Sequence, residues 1–349
     1  MANSICMRDD LQCRANHNVK DILELSLKHR LDSKLQKTLV IYDNQTTLAH
    51  LLTEAYRFNL PDADYIDFDT SSQIDLINKF DTLGVGDLVV LIQSSNFRLN
   101  DFRIRLYLFN RGIKVIEHMH LHRNCQATWP IYIDSLAYDL EYLTTQSHSI
   151  ELALRSAKSL TISYDNQSCL VDSPLEIPKL NIGQYDAMAN IGGTYPIGEI
   201  FTESQNLQSI NGHIWVYAFA NSAFEVELAP RPFWLEINNG VVTNWDPTTP
   251  SSFVTVLNKV QESESLLIRE LGFGINRAFS RRPELLIKDI TAFERICGMH
   301  MSIGHKHSVY KKPGYPTHKA RYHIDIFIQA DIIETDTQVI WGGSRYVCK

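Results

Sequence analysis

Asp87-Leu88-Val89-Val90-Leu91-Ile92 carries one charge, at its front, and then five apolar residues without alternation. A run this short and this apolar reads as a strand buried on both faces, the kind found inside parallel sheets. Its flanks agree. Upstream, Leu39-Val40-Ile41-Tyr42 and Tyr65-Ile66-Asp67-Phe68 are strand-like. Helical spacing separates them, with Leu48, Leu51, Leu52, Ala55 and Tyr56 on one face of residues 47–60. A second helix is expected over 72–80. Downstream come a helix over 102–110, the strand Lys114-Val115-Ile116-Glu117 and a helix over 133–143. Strands alternating with helices indicate a parallel α/β sheet. No G-x-G-x-x-G follows any of these strands, so a dinucleotide site has no support.

The texture changes after about Ser156. Residues 159–164, 214–219, 232–237, 322–328 and 338–341 read as strands, and Asn239-Gly240 as the turn of a hairpin. One long helix is expected over Ser252 to Arg269. The fold expectation is therefore α/β plus mainly β. An N-terminal parallel α/β domain spans 1–155, and a C-terminal β-rich, metal-binding catalytic domain spans 156–349.

The 349 residues hold 33 basic and 40 acidic side chains, a net charge of −7. That balance disfavours a nucleic-acid partner, which calls for a concentrated basic surface. No stretch of 18 apolar residues suggests a membrane span, and the first residues lack the order of a secretion signal. Six scattered cysteines without C-x-x-C spacing fit free thiols in a reducing, cytoplasmic compartment.

The chemistry concentrates late in the chain. In His323-Ile324-Asp325 the imidazole and carboxylate stand at i and i+2, on one strand face, an arrangement that suits two ligands of one metal. His300, His305, His307, His318 and His323 are five of the 13 histidines. Glu199 follows a Gly- and Pro-marked stretch, Ile191 to Ile197, read as a loop that lets backbone approach a site. Glu270 opens Glu270-Leu271-Gly272-Phe273-Gly274-Ile275-Asn276 at the end of the expected long helix. A rival cluster, His118, His120 and His122, would share one side of a strand and line the rim of the parallel sheet.

Taken in order, Gly198-Glu199-Ile200-Phe201-Thr202, Glu270 to Asn276, Gly298-Met299-His300-Met301-Ser302-Ile303-Gly304 and His323-Ile324-Asp325 resemble the aminopeptidase T and aminopeptidase S family of metallo-aminopeptidases. The resemblance runs from about Ser159 to the C-terminus, with the first half alike in texture only. It implies two divalent metals, zinc, cobalt or manganese, held by Glu199, Glu270, His300, His323 and Asp325. It also implies a homodimer whose enclosed cavity admits short peptides and trims their N-terminal residues. The chain departs from the family at His307, where a Tyr is usual, and in its shorter third motif. By proximity to the proposed ligands, His307 and Glu203 are the candidate catalytic groups, with Glu294 a further candidate base.

Two other functions compete. A descendant without general peptidase activity, binding or trimming one peptide in a pathway, is suggested by His307 and the compressed loops. A mononuclear Fe(II) ring-cleaving dioxygenase resembling the 2,5-dihydroxypyridine dioxygenases is suggested by the closing His-x-Asp. It would use His323, Asp325 and His300 or His307 as a facial triad. The acidic pair Glu199 and Glu270 argues against the latter, because that branch is not acidic at both positions.

Overall fold

The apolar run at residue 87 forms the middle of a five-stranded parallel sheet in the computed structural model. The model describes residues 2–29, 36–99, 103–186, 188–307, 309–315 and 318–348, with side chains from residue 9 onward. Strand Leu88–Ile92 lies between Thr38–Tyr42 and Lys114–His118, and the order across the sheet is Asp64–Asp67, Thr38–Tyr42, Leu88–Ile92, Lys114–His118, Gly192–Tyr195. Every pairing is parallel. The two strands Leu88–Ile92 and Lys114–His118 are buried along their whole length, which is why neither alternates in sequence.

The helices between strands start where short polar side chains cap them. Thr46 Oγ1 accepts from Ala49 N at 3.1 Å ahead of helix Thr47–Asn59. Ser72 Oγ accepts from Asp75 N at 3.1 Å ahead of helix Gln73–Asp81. Each satisfies a backbone N–H that the helix itself leaves without a partner.

Packing groups the described residues into two interleaved units. One comprises 1–140, 183–197 and 278–289, the other 141–182, 198–277 and 290–349. Sequence texture places one division at 155/156, whereas the chain returns twice more to the first unit.

Several local expectations change. Ile191 to Ile197 is not a loop throughout: Gly192–Tyr195 is the fifth parallel strand. A Cβ on Gly192 would lie 1.9 Å from the Val115 carbonyl oxygen, so glycine there permits the pairing, and it also marks the stretch as a turn to a sequence reader. The helix expected over 133–143 is broken into Trp129–Ser135 and Leu140–Ser156. Helix Ala2–Asp21 was not expected.

The three histidines do not share a strand face. His118 ends its strand, His120 has φ 54°, and residues 121–123 form a helical turn. His118 is held between Tyr56 Oη at 2.9 Å and Tyr132 Oη at 3.1 Å. His120 Nδ1 lies 2.6 Å from Asp289 Oδ1, and His122 Nδ1 meets the Ser94 carbonyl.

Burial lowers His118 to about 3. An unfolded imidazole titrates near 6.5, so from pH 6.5 down toward 3 only the unfolded chain gains the proton. Stability is then lost as pH falls, by about 2 kcal/mol between pH 7 and pH 5 for this one group. Urea unfolding at the two pH values should show wild type losing that much more than His118→Gln. Equal losses would refute the assignment.

The second unit holds a 13-stranded antiparallel sheet. Its middle runs Ile210–Ala220, Ile324–Gln329, Gly298–Ile303, Ile268–Gly274, Glu199–Glu203. Asn239 and Gly240 both take positive φ, 49° and 77°, and turn strand Val226–Asn238 into Val241–Trp245 as a tight hairpin. Phe219, Phe233 and Phe253 pack together at ring separations of 4.7 to 6.1 Å, seating helix Ser251–Gln261. The expected long helix ends at Gln261, and Glu270 lies within strand Ile268–Gly274. Leu266-Leu267-Ile268 continues the helical apolar pattern in sequence. In the fold those residues enter a fully buried strand with partners on both sides, and that pairing decides their conformation.

Candidate metal centre

Four neighbouring strands bring the motifs together. Strand pairing sets Glu270 opposite Glu203, Gly274 opposite Glu199, Gly272 opposite both Phe201 and His300, and Ser302 opposite Asp325. Residues facing each other across an antiparallel pair point to the same face. Glu199, Glu203, Glu270, His300 and Asp325 therefore project from one side of the sheet. All five are buried. His323 immediately precedes its strand and is half-buried.

The side chains form two overlapping groups. Ligand atoms of Glu199, Glu270 and His300 lie within 4.8 Å of one another, and so do those of Glu270, His323 and Asp325. His300 Nε2 is 3.2 Å from Glu199 Oε1 and 3.4 Å from Glu270 Oε1. His323 Nε2 is 3.0 Å from Asp325 Oδ1. Yet His300 Nε2 and Asp325 Oδ1 lack a partner with hydrogen-bonding geometry. They are near each other's neighbours without being aimed at them.

Charge points the same way. Burial raises the Glu294 carboxyl well above its usual range, and repulsion from Asp325 and Glu199 adds to this. Glu199, Glu270 and Glu294 surround one guanidinium, Arg295, which reaches Glu199 Oε2 at 2.9 Å and Glu294 Oε2 at 2.5 Å. Burial alone would lower His300, but the adjacent Glu199 and Glu270 carboxylates override it and hold the imidazole near 10. His323 is likewise depressed by burial but carried well above 6.5 by Asp325. Without a cation, protons on these imidazoles balance the carboxylates; a metal would have to displace them.

Gly272 supplies the room. A Cβ there would sit 2.1 Å from His300 Nε2. The orphaned donor atoms, the excess of carboxylate and this cradle together fit a divalent cation bound by oxygen and imidazole donors.

The two remaining imidazoles differ in tautomer. His323 Nδ1 lies 2.9 Å from the Lys306 carbonyl and donates to it, so the neutral ring offers its Nε2 lone pair. His307 Nδ1 instead accepts from Val309 N at 3.2 Å and Tyr310 N at 3.4 Å. Its proton then sits on Nε2, which lies 3.1 Å from Glu270 Oε2 but, like His300 Nε2, has no partner with hydrogen-bonding geometry. Tyr310 is occupied elsewhere, donating to the Ile177 carbonyl at 2.6 Å.

Glu203 joins a different arrangement. Its Oε1 accepts from Arg269 Nε, and both side chains are fully buried. Arg269 Nη1 and Nη2 donate to the carbonyls of His305 at 2.6 Å and Tyr310 at 2.9 Å. The pair thus pins the loop that carries His307. Of the other histidines, His305 Nε2 meets Ser265 Oγ at 2.7 Å and His318 is exposed. Sequence reading missed Arg269 and Gly272. A charge beside Glu270 in an apolar run and a glycine in a strand were the available signals, and both have common bland explanations.

Fold and site together define a mixed α/β protein, with one parallel sheet and one large antiparallel sheet bearing a buried carboxylate–imidazole cluster. No protein-family model matches the chain, and no curated protein matches it in sequence. Solved structures match its fold. The 2,5-dihydroxypyridine dioxygenase from Pseudomonas putida KT2440 aligns over 98% of both chains with TM-score 0.66 and 16% identity. Wild-type AmpT from Thermus thermophilus, an aminopeptidase T, aligns over 96% of this chain and 99% of its own, with TM-score 0.62 and 9% identity. At such identities the likeness is one of fold. Among the described residues no helix is long and apolar enough to cross a membrane.

Proposed function

We propose that this chain is a two-metal hydrolase that removes N-terminal residues from short peptides. The observation that carries the reading is the sharing of Glu270 by two donor groups, each completed by one imidazole and one further carboxylate. A facial iron triad wants two imidazoles and one carboxylate, and neither group has that composition. Glu199, Glu270, His300, His323 and Asp325 would be the ligands. Metals bound there would polarise a carbonyl and make a bound water nucleophilic at neutral pH.

The protein's own groups divide the remaining work. Arg295 engages the second oxygen of Glu199 and so orients the first toward His300. The His307 Nε2–H is placed to donate to developing negative charge beside Glu270. This takes up the position where the family usually has Tyr. Glu294 is the carboxyl best suited to carry a proton, because burial and the charges of Asp325 and Glu199 raise it well above its usual range. A homodimer remains part of the proposal through the family resemblance, and a cytoplasmic location through the six scattered cysteines.

The dioxygenase reading is supported by the TM-score of 0.66 to the 2,5-dihydroxypyridine enzyme. One experiment separates the two. Protein purified without chelators is analysed for metal, then assayed on a panel of dipeptides and aminoacyl anilides, and for oxygen uptake with iron(II) and 2,5-dihydroxypyridine. Two metals per chain with peptide cleavage are expected. One iron per chain with oxygen uptake would overturn the proposal. Two metals without cleavage of any panel member would favour the specialised peptide-binding descendant.

A further inference from the structure

A cavity of about 480 Å³ opens in the first unit at the carboxyl ends of strands Leu88–Ile92 and Lys114–His118. Open α/β sheets bind ligands at the carboxyl ends of their strands, and the volume lies in the range of small-molecule sites. Three guanidiniums line it: Arg98, Arg103 and Arg105. Among the described residues, Arg105 alone of the three meets a carboxylate. Its Nη1 donates to Glu117 Oε2 at 2.7 Å. Glu117 is buried and tied further by Thr194 Oγ1 at 3.1 Å and Gln93 Nε2 at 3.1 Å. Fixed by three donors, that carboxylate is not free to turn to the other arginines. Arg98 and Arg103 are exposed and meet no carboxylate among the described residues.

Part of the lining is apolar. Phe97, Ile104 and Met119 form it, and Phe97 N donates to Gln93 Oε1 at 2.7 Å, which holds the turn after the strand in place. Two planar forks that meet no carboxylate among the described residues, beside apolar side chains, match a carboxylate or phosphate attached to a hydrocarbon body. We propose that this cavity binds a small organic anion, its charged group held by Arg98 and Arg103 and its body against Phe97, Ile104 and Met119.

Isothermal titration calorimetry of the full chain with phenyl phosphate and with benzoate tests this. The two probes distinguish phosphate from carboxylate, and inorganic phosphate shows what the apolar side chains add. Arg98→Ala and Arg103→Ala should each weaken the better probe roughly tenfold or more, the loss expected for a charge-assisted contact. Leu106→Trp, which alters the rim without removing charge, should weaken it too. Glu270→Ala should leave it unchanged, which separates this cavity from anion binding at the metal centre. No measurable heat with either organic probe, or binding that survives both arginine substitutions, would overturn the proposal.

Discussion

Glu270→Ala is expected to leave the protein with neither metal, whereas Glu199→Ala and Asp325→Ala should each leave one. The asymmetry follows from geometry, because Glu270 belongs to both donor groups and the other two carboxylates to one each. It is measurable as metal content after dialysis against buffered metal, independent of any substrate. Turnover should fall by at least about a thousandfold in Glu270→Ala, since losing the metals forfeits both carbonyl polarisation and the activated water. The metal-free fold should survive. Burial raises the Glu270 carboxyl, but the imidazoles of His300, His307 and His323 beside it outweigh that and hold it well below its usual range. After its removal, His300 keeps Glu199 as a partner at 3.2 Å. A Glu270→Ala protein that retained one metal per chain would exclude a shared ligand.

Gly272→Ala adds one methyl group and should weaken the same metal centre without abolishing it. The backbone of Gly272 does not need a positive φ, so alanine is tolerated by the strand itself. The obstruction is the His300 ring, with Nε2 at 2.1 Å, Cε1 at 2.2 Å and Cδ2 at 2.7 Å from the added carbon. His300 is 1% exposed and packs 6.0 Å from the Phe327 ring, so it has little space to retreat. Overpacking of this kind costs about 1–3 kcal/mol. Displacing an orienting contact around a ligand typically weakens metal binding by about 10–100-fold. Gly193→Ala is the matched control, because nothing lies within 4 Å of a Cβ there. Equal metal affinity in Gly272→Ala and wild type would show that the His300 ring is not held where the structure puts it.

Neither result depends on whether the metals serve peptide hydrolysis. That separation matters because both fold neighbours are enzymes with different chemistries. The donor composition, one carboxylate and one imidazole on each side of the shared Glu270, is the feature of this chain's own residues that supports the proposed hydrolysis. His307 is the feature that makes it unlike its resemblance. A phenol would be a weak donor or a ligand at that position, while an imidazole with Nδ1 tied to two backbone N–H groups is a donor only.

Local chemistry alone determined a good part of this protein. The unbroken apolar run at 88–92 and the Asn239-Gly240 turn each act within a few residues, so each was legible where it stood. His323-Ile324-Asp325 was legible too, because a period of two makes i and i+2 neighbours in any strand. Pairing partners far along the chain decided the rest. Residues 266–270 carry the same apolar pattern whether helical or extended, and only the strands at 199–203 and 298–303 select the second. Gly192 breaks local propensity yet completes a sheet, since only a residue without Cβ fits against Val115. His118, His120 and His122 look like one face of a strand until the strand stops at the first of them. The tautomers of His307 and His323, and the commitment of Glu203 to Arg269, rest on backbone groups and charges remote in sequence. Spacing along the chain cannot encode those contacts, and they decide which imidazole is a ligand and which a donor.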